Sequence, residues 1–256
     1  MMRFASLGSG SQGNALVVEA GRTRILLDCG LGLNDVKTRL ARFGLEAVDL
    51  DAIVVTHEHD DHVGGVARLA RKFEIPVYMT YGTLTALDGA RAGIAQITVI
   101  DSHTPFAIGD IEVRPYPVPH DAREPAQFVF GDGGSRLGVL TDTGSSTPHI
   151  ESMLSGLEAL VIECNHDSGM LANSSYPPHL RQRISGRFGH LDNASTAGLL
   201  GRLDCSRLKH VIAAHLSQQN NTPELARAAM AQALSCEPEW IGVADQRDGF
   251  DWREIR

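Results

Sequence analysis

A chain of 256 residues with 43% hydrophobic content can bury one large core. Its formal net charge of −8 argues against a broadly basic nucleic-acid surface, but leaves room for a basic groove beside bound cations. Nothing approaches the ~20 apolar residues of a membrane span. The widely spaced Cys29, Cys164, Cys205 and Cys236 read as buried free thiols in a reducing compartment, not as a disulfide framework or a zinc site.

The amino-terminal Met1-Met2-Arg3-Phe4-Ala5-Ser6-Leu7 reads straight into a strand, with no apolar stretch before a cleavage site, so a cytoplasmic location is expected. Strands are predicted near 2–7, 14–19 and 23–28, then a helix near 33–43, a strand near 52–56 and a helix near 63–73. A strand near 76–79, a helix near 82–91 and strands near 97–100, 111–118, 127–131 and 136–141 follow. The last third alternates: helix 147–154, strand 158–163, helices 178–187 and 193–202, strand 209–214, helix 222–235 and strand 239–243. Asn34 is a candidate N-cap of the first helix, and Thr222 caps the last with Pro223 at its first position. No linker, charge block or repeat divides the chain, so one α/β domain over 1–256 is expected. A simple doubly wound sheet would not open with so hairpin-rich a run.

The densest chemical signal is Thr56-His57-Glu58-His59-Asp60-Asp61-His62-Val63-Gly64-Gly65. It lies between the apolar Leu50-Asp51-Ala52-Ile53-Val54-Val55 and a segment with helical apolar spacing, hence on a strand-to-helix turn. In an extended stretch residues i and i+2 point the same way, so His57 and His59 can grip one cation. Asp61 and His62 follow where the chain turns and can face a second, while Asp60 points away. Imidazole and carboxylate donors suit zinc, manganese or iron. A pair of ions ~3.5–4 Å apart activates water and clamps both oxygens of a displacement.

This motif resembles the signature of metallo-β-lactamase-fold hydrolases, and the resemblance extends over nearly the whole chain. It implies a four-layer αββα sandwich, two mixed sheets face to face with helices outside. It also implies a third histidine, a bridging aspartate and a final histidine on loops at one edge. His120 in Pro119-His120-Asp121-Ala122, Asp142 in Leu140-Thr141-Asp142-Thr143 and His215 in Ala214-His215-Leu216-Ser217 stand at strand ends in that order. The expected sites are thus His57, His59 and His120 for one ion, and Asp61, His62 and His215 for the other, with Asp142 between them. Two divalent ions are implied, zinc first, with manganese or iron as alternatives. A hydroxide shared by the ions would attack phosphorus, with Asp61 counted among the catalytic groups as well as the ligands. His59 stands where the redox branch of the superfamily has glutamate, which favours hydrolysis.

His190, in Gly189-His190-Leu191-Asp192-Asn193, matches the context of a candidate proton donor in a related cyclic phosphodiesterase. The alternative is a loop histidine packed on a helix that Asp192 and Asn193 already cap. His166 reads as pocket wall or as a partner that orients a ligand. Ser9, Ser11 and Asn14, in a tight polar loop, can offer donors to a phosphate, although a hairpin turn needs no function. Ser217, Asn220 and Asn221 follow His215 and should line the same pocket. Arg183 and Arg187 share a helix face at i,i+4 and either clamp phosphates or form a solvated face.

The set Gly8-Ser9-Gly10-Ser11, Pro119-His120-Asp121-Ala122, Asn165-His166-Asp167, Gly189-His190-Leu191 and His215-Leu216-Ser217 resembles the YycJ/WalJ-like group. That group implies a 5′-to-3′ DNA exonuclease. The implied partner is nucleic acid, DNA ahead of RNA, or a small phosphodiester. A small-molecule hydrolase of the same fold (cyclic phosphodiesterase or thioesterase) and a non-catalytic metal-binding module are the alternatives. The chain has no inserted β-CASP domain.

Overall fold

Runs of β-branched and long apolar side chains, buried on both faces, make most of the strands. The first half supplies β1 (Met2–Gly8), β2 (Ala15–Ala20), β3 (Thr23–Leu27), β4 (Ala52–Val54), β5 (Val77–Thr80) and β6 (Ile97–Ile100). Then come β7 (Phe106–Ile108), β8 (Ile111–Pro117), β9 (Ala126–Gly131), β10 (Arg136–Leu140), β11 (Ala159–Glu163), β12 (His210–Ala214), β13 (Gly242–Val243) and β14 (Phe250–Ile255). In the computed structural model, which describes residues 1–87, 89 and 93–256, they form two seven-stranded sheets. The orders are β14-β1-β2-β3-β4-β5-β6 and β13-β12-β11-β10-β9-β8-β7. Each sheet is antiparallel through its hairpins and parallel from β3 to β6 or from β10 to β13.

The helices are α1 (Leu33–Arg42), α2 (Asp60–Val63), α3 (Val66–Phe73), α4 (Tyr81–Leu87), α5 (Pro148–Leu154), α6 (Ser168–Ala172), α7 (Pro178–Ile184), α8 (Asn193–Leu200) and α9 (Pro223–Leu234). Three apolar layers separate four layers of structure. Phe4 and Val18 meet Phe128 and Phe130 between the sheets. Leu26 and Ile53 pack on Val36 and Leu40 of α1 and Leu69 of α3. Leu160 and Val211 pack on Ile150 of α5, Leu199 of α8 and Met230 of α9. This is the expected αββα sandwich. The parallel strands of both sheets end at one edge, the usual place for a site in α/β folds.

The structure corrects several local expectations. Gly32, not Asn34, is the N-cap of α1, and no side chain caps that end; Asn34 lies inside the first turn. The helix expected over 63–73 breaks at Gly64-Gly65, because that backbone lies against the loop after β3. A Cβ on Gly65 would sit 2.0 Å from the Leu31 carbonyl oxygen. Of the helix expected over 82–91, Tyr81–Leu87 is observed, and positions 88, 90 and 91 lie outside the described residues. The strand expected over 239–243 is a 3-10 turn, Pro238–Trp240, followed by the two residues of β13. Two strands were not anticipated, β7 and β14. β14 is an edge strand paired only with β1, so Asp251, Arg253 and Glu254 interrupt its apolar pattern. The Thr222 cap is present, its side chain accepting the Leu225 N–H.

Candidate metal centre

Five strand ends converge on one edge. Asp28 follows β3, Thr56 and His57 follow β4, Asp142 follows β10, Glu163 closes β11 and His215 follows β12. Asp28, Asp142 and His215 adopt left-handed backbone conformations, with φ of 58°, 51° and 55°. Asp and His tolerate this region better than most residues, and such conformations gather at functional sites.

His57, His59 and His120 form a first group, whose donor atoms all lie within 4.8 Å of one another. Nδ1 of His59 lies 3.0 Å from His57 Nε2 and 3.2 Å from His120 Nε2. The outer nitrogens explain the presentation. His57 Nδ1 is 3.0 Å from Thr56 Oγ1, and that hydroxyl donates to Asp28 Oδ2 at 2.8 Å. His120 Nδ1 lies 3.2 Å from the Gly189 carbonyl oxygen. Each outer bond fixes a tautomer and leaves the inner nitrogen as acceptor.

Asp61, His62, Asp142 and His215 form the second group. His62 Nε2 stands 3.1 Å from Asp142 Oδ2 and 3.5 Å from Asp61 Oδ2, and His215 Nε2 stands 3.4 Å from Asp61 Oδ2. Outside, Asp28 Oδ2 accepts from His62 Nδ1 at 2.7 Å. Burial lowers the His57 imidazole far below its ordinary value, with neighbouring His62 adding to the effect. Burial, the largest single influence, would lower His62 and His215 too, but the carboxylates together outweigh it, Asp142 first, joined by Asp28 at His62 and by Asp61 and Glu163 at His215; His215 is pushed up to about 10. The carboxylates here demand positive charge.

Glu163 organises the rim. Fully buried, its Oε2 accepts backbone N–H bonds from Thr143 and Leu191 at 3.1 and 3.0 Å. Its Oε1 lies 2.8 Å from His190 Nδ1 and 3.2 Å from His215 Nδ1. Burial alone would raise its pKa, but His190 and the other bonds bring it down to about 2. His190, also pushed down by burial, is raised on balance by Glu163 and Asp142. Its ring faces the cleft with Nε2 free of the Glu163 bond.

The cleft over these groups has a volume of about 340 Å³, within the range of small-ligand pockets. Ser11, Ser217 and Arg183 line it, as do His59, Asp60, Asp61, Asp142, His190 and His215. The other expected substrate contacts do not line it. Ser9 is buried, and its Oγ accepts the His215 N–H at 2.9 Å. Asn14 is buried behind Asp61, with Nδ2 3.3 Å from the Asp61 Oδ2. His166 is buried, Nδ1 3.3 Å from Asn165 Oδ1. Asn220 is buried beside Ser217, and Asn221 donates to the Cys164 carbonyl. Arg187 lies over the Phe188 ring, 4.8 Å from its centroid. Asp28 and Glu163 escaped the sequence reading, although each ends an apolar strand in the same way as Asp142 and His215.

The residues fit divalent cations. Asp142 Oδ2 is buried without a hydrogen-bond partner, although imidazole nitrogens surround its carboxylate. An orphaned carboxylate oxygen of this kind is costly unless a cation meets it. Mixed imidazole and carboxylate donors are a set for zinc or a similar transition metal.

Comparison with known proteins agrees. Residues 23–215 match the family model described as a beta-lactamase superfamily domain. The chain is 35% identical over 246 residues to the exodeoxyribonuclease YycJ of Bacillus anthracis, covering 95% of this chain and 92% of that protein. It is 33% identical over 245 residues to the exodeoxyribonuclease WalJ of Streptococcus pneumoniae, covering 94% and 91%. The metallo-beta-lactamase fold protein YhfI of Bacillus subtilis superposes with a TM-score of 0.76 over 99% of this chain and 100% of its own, at 16% identity. With a family model spanning most of its length and two full-length relatives above 30% identity, the chain belongs to the beta-lactamase superfamily and, within it, to the family of YycJ and WalJ.

Proposed function

We propose that this chain is a metal-dependent phosphodiesterase acting on nucleic acid, a 5′-to-3′ exodeoxyribonuclease. One observation carries the reading: seven ligand-type residues gather in two adjoining groups, and four of them, His59, Asp61, Asp142 and His215, line a cleft that also holds Arg183 and His190. The names of YycJ and WalJ, exodeoxyribonucleases similar over nearly their whole length, support it.

His57, His59 and His120 would hold one ion and Asp61, His62 and His215 a second, both zinc by first choice, with the Asp142 carboxylate offered to both. When bound, the ions supply an activated water and stabilise charge on the phosphoryl oxygens. The protein's own groups do the rest. Arg183, tethered by Asp121 Oδ2 at 2.6 Å, presents its guanidinium to a phosphate entering the cleft. His190, oriented through Nδ1 by Glu163, carries a proton on Nε2 and delivers it to the leaving alkoxide. Glu163, with both oxygens engaged, keeps that imidazole protonated.

The test is a panel of 5′-phosphorylated single-stranded DNA, RNA, blunt duplex DNA and a cyclic nucleotide against zinc- and manganese-loaded enzyme. Stepwise release of 5′-mononucleotides from DNA is expected. Turnover of the cyclic nucleotide with inert polymers would replace this reading by a small-molecule hydrolase.

A further inference from the structure

The segment from Ser168 to Leu191 contains three arginines, Arg181, Arg183 and Arg187, and no carboxylate, in a chain whose net charge is −8. It runs along one side of the cleft. Tyr176 and Arg183 line the opening, half-buried and exposed respectively. Farther out, Phe188 is 48% exposed, an unusual position for a large apolar ring, with the Arg187 guanidinium 4.8 Å from its centroid. Arg187 makes no ion pair among the described residues.

The segment is held in place. Asp121 donates its N–H to the Phe188 carbonyl at 3.0 Å, and Ser145 Oγ donates to the Arg187 carbonyl at 3.1 Å. The backbone approach is tight: a Cβ on Gly144 would lie 2.4 Å from the Arg187 carbonyl carbon, and one on Gly189 would lie 2.2 Å from the carbonyl oxygens of Arg183 and Ile184. Phe188 and Arg187 are therefore presented on a backbone fixed by these contacts, with Tyr176 and the Asp121-paired Arg183 at the cleft opening.

From this geometry we propose that residues 176–188 form a stacking platform for a single-stranded polynucleotide end, with Tyr176 and Phe188 each taking a base and Arg183 and Arg187 contacting the phosphates. Positively charged grooves with aromatic faces are how single strands are held without sequence readout. The cleft, about 340 Å³, is of small-ligand size, which suits one strand end. This inference rests on the nucleic-acid phosphodiesterase reading above and deepens it.

The experiment is fluorescence anisotropy of metal-loaded enzyme with hydrolysis-resistant phosphorothioate dT12, the matching rU12 and a blunt 20-bp duplex. Wild type should bind either single strand at least tenfold more tightly than the duplex; preference between dT12 and rU12 assigns the sugar. Tyr176→Ala and Phe188→Ala should each weaken dT12 binding about 5- to 150-fold. Phe188→Trp should restore it, while Phe188→Leu, which keeps bulk but no π face, should not. Arg187→Ala should reduce the slope of log K against log salt by about 0.7. Equal binding of duplex and single strand overturns the proposal, as does wild-type affinity in Phe188→Leu. Tight dT12 binding by an enzyme that cleaves no phosphodiester leaves the platform standing and removes the nuclease reading. Cleavage with unaltered binding in the aromatic variants does the reverse.

Discussion

Glu163 and His190 meet at 2.8 Å between Oε1 and Nδ1, and the other Glu163 oxygen is tied to two backbone N–H groups. The carboxylate cannot swing away, so the imidazole keeps one orientation with its free nitrogen toward the cleft. If His190 protonates the leaving group, His190→Ala should slow DNA cleavage by ~10²–10⁴-fold. Hydrolysis of bis(p-nitrophenyl) phosphate, whose leaving group hardly needs a proton, should fall less than about tenfold. Parallel rate measurements on the two substrates, with metal content unchanged, check this. Equal slowing of both would return His190 to a helix-packing role.

Glu163→Gln tests the same pair by pH. Glu163 and Asp142 raise the His190 pKa against the effect of burial. An acid must be protonated, so activity is lost as pH rises through that pKa. Removing the Glu163 charge should move the alkaline limb of kcat/KM to lower pH. A limb that stays in place would assign it to another group.

Asp28 is expected to matter although it is not among the metal donors. It accepts from His62 Nδ1 at 2.7 Å and from the Thr56 N–H and hydroxyl, both at 2.8 Å. Asp28→Asn should weaken metal affinity ~10–100-fold by releasing the His62 and His57 tautomers. Asp28→Ala should also cost about 1–3 kcal/mol for each donor left buried and unpaired. Competition with a chelator and thermal unfolding measure the two effects separately.

The neighbours Asp60 and Asp61 should behave oppositely. Asp61 Oδ2 lies within 3.5 Å of both His62 and His215 Nε2, whereas Asp60 is exposed on the first turn of α2. Asp60→Asn should keep a full metal load, and Asp61→Asn should lose one ion per chain by elemental analysis. Asp142 stands in the group of Asp61, His62 and His215; if its carboxylate also serves the first group, as proposed, Asp142→Ala should lose more than one. A full load surviving Asp142→Ala would exclude a shared role.

Gly30 supplies a prediction from close packing. A Cβ there would lie 1.8 Å from the Asp61 carbonyl oxygen, an oxygen that also accepts the Asn14 N–H at 2.8 Å. Gly30→Ala must push Asp61 out of place, destabilising the fold by ~1–3 kcal/mol and weakening the second metal group. The unfolding midpoint and metal content should fall together. Loss of stability with metal retained would mean the loop yields elsewhere.

Much of the centre was legible along the chain, because its signals are local. His57, His59, Asp61 and His62 lie within six positions after an apolar strand, and strand alternation decides which point together. His120, Asp142 and His215 stand at strand ends for the same reason, and the family resemblance supplied their order. The edge strand β14 was not legible, since it buries one face and its pattern is broken by charge. Nor was the inward turn of Ser9, Asn14, His166, Asn220 and Asn221. Sequence shows that a polar residue sits in a turn, but its direction is set by the partners that packing brings near. Asn14 meets Asp61 across 47 positions, and Ser9 meets His215 across 206. Residue type and spacing were thus determined by the sequence alone. Only the tertiary structure decided that Asp28 and Glu163 stand behind the histidines, because hydrogen bonds between strand ends form once the two sheets have stacked.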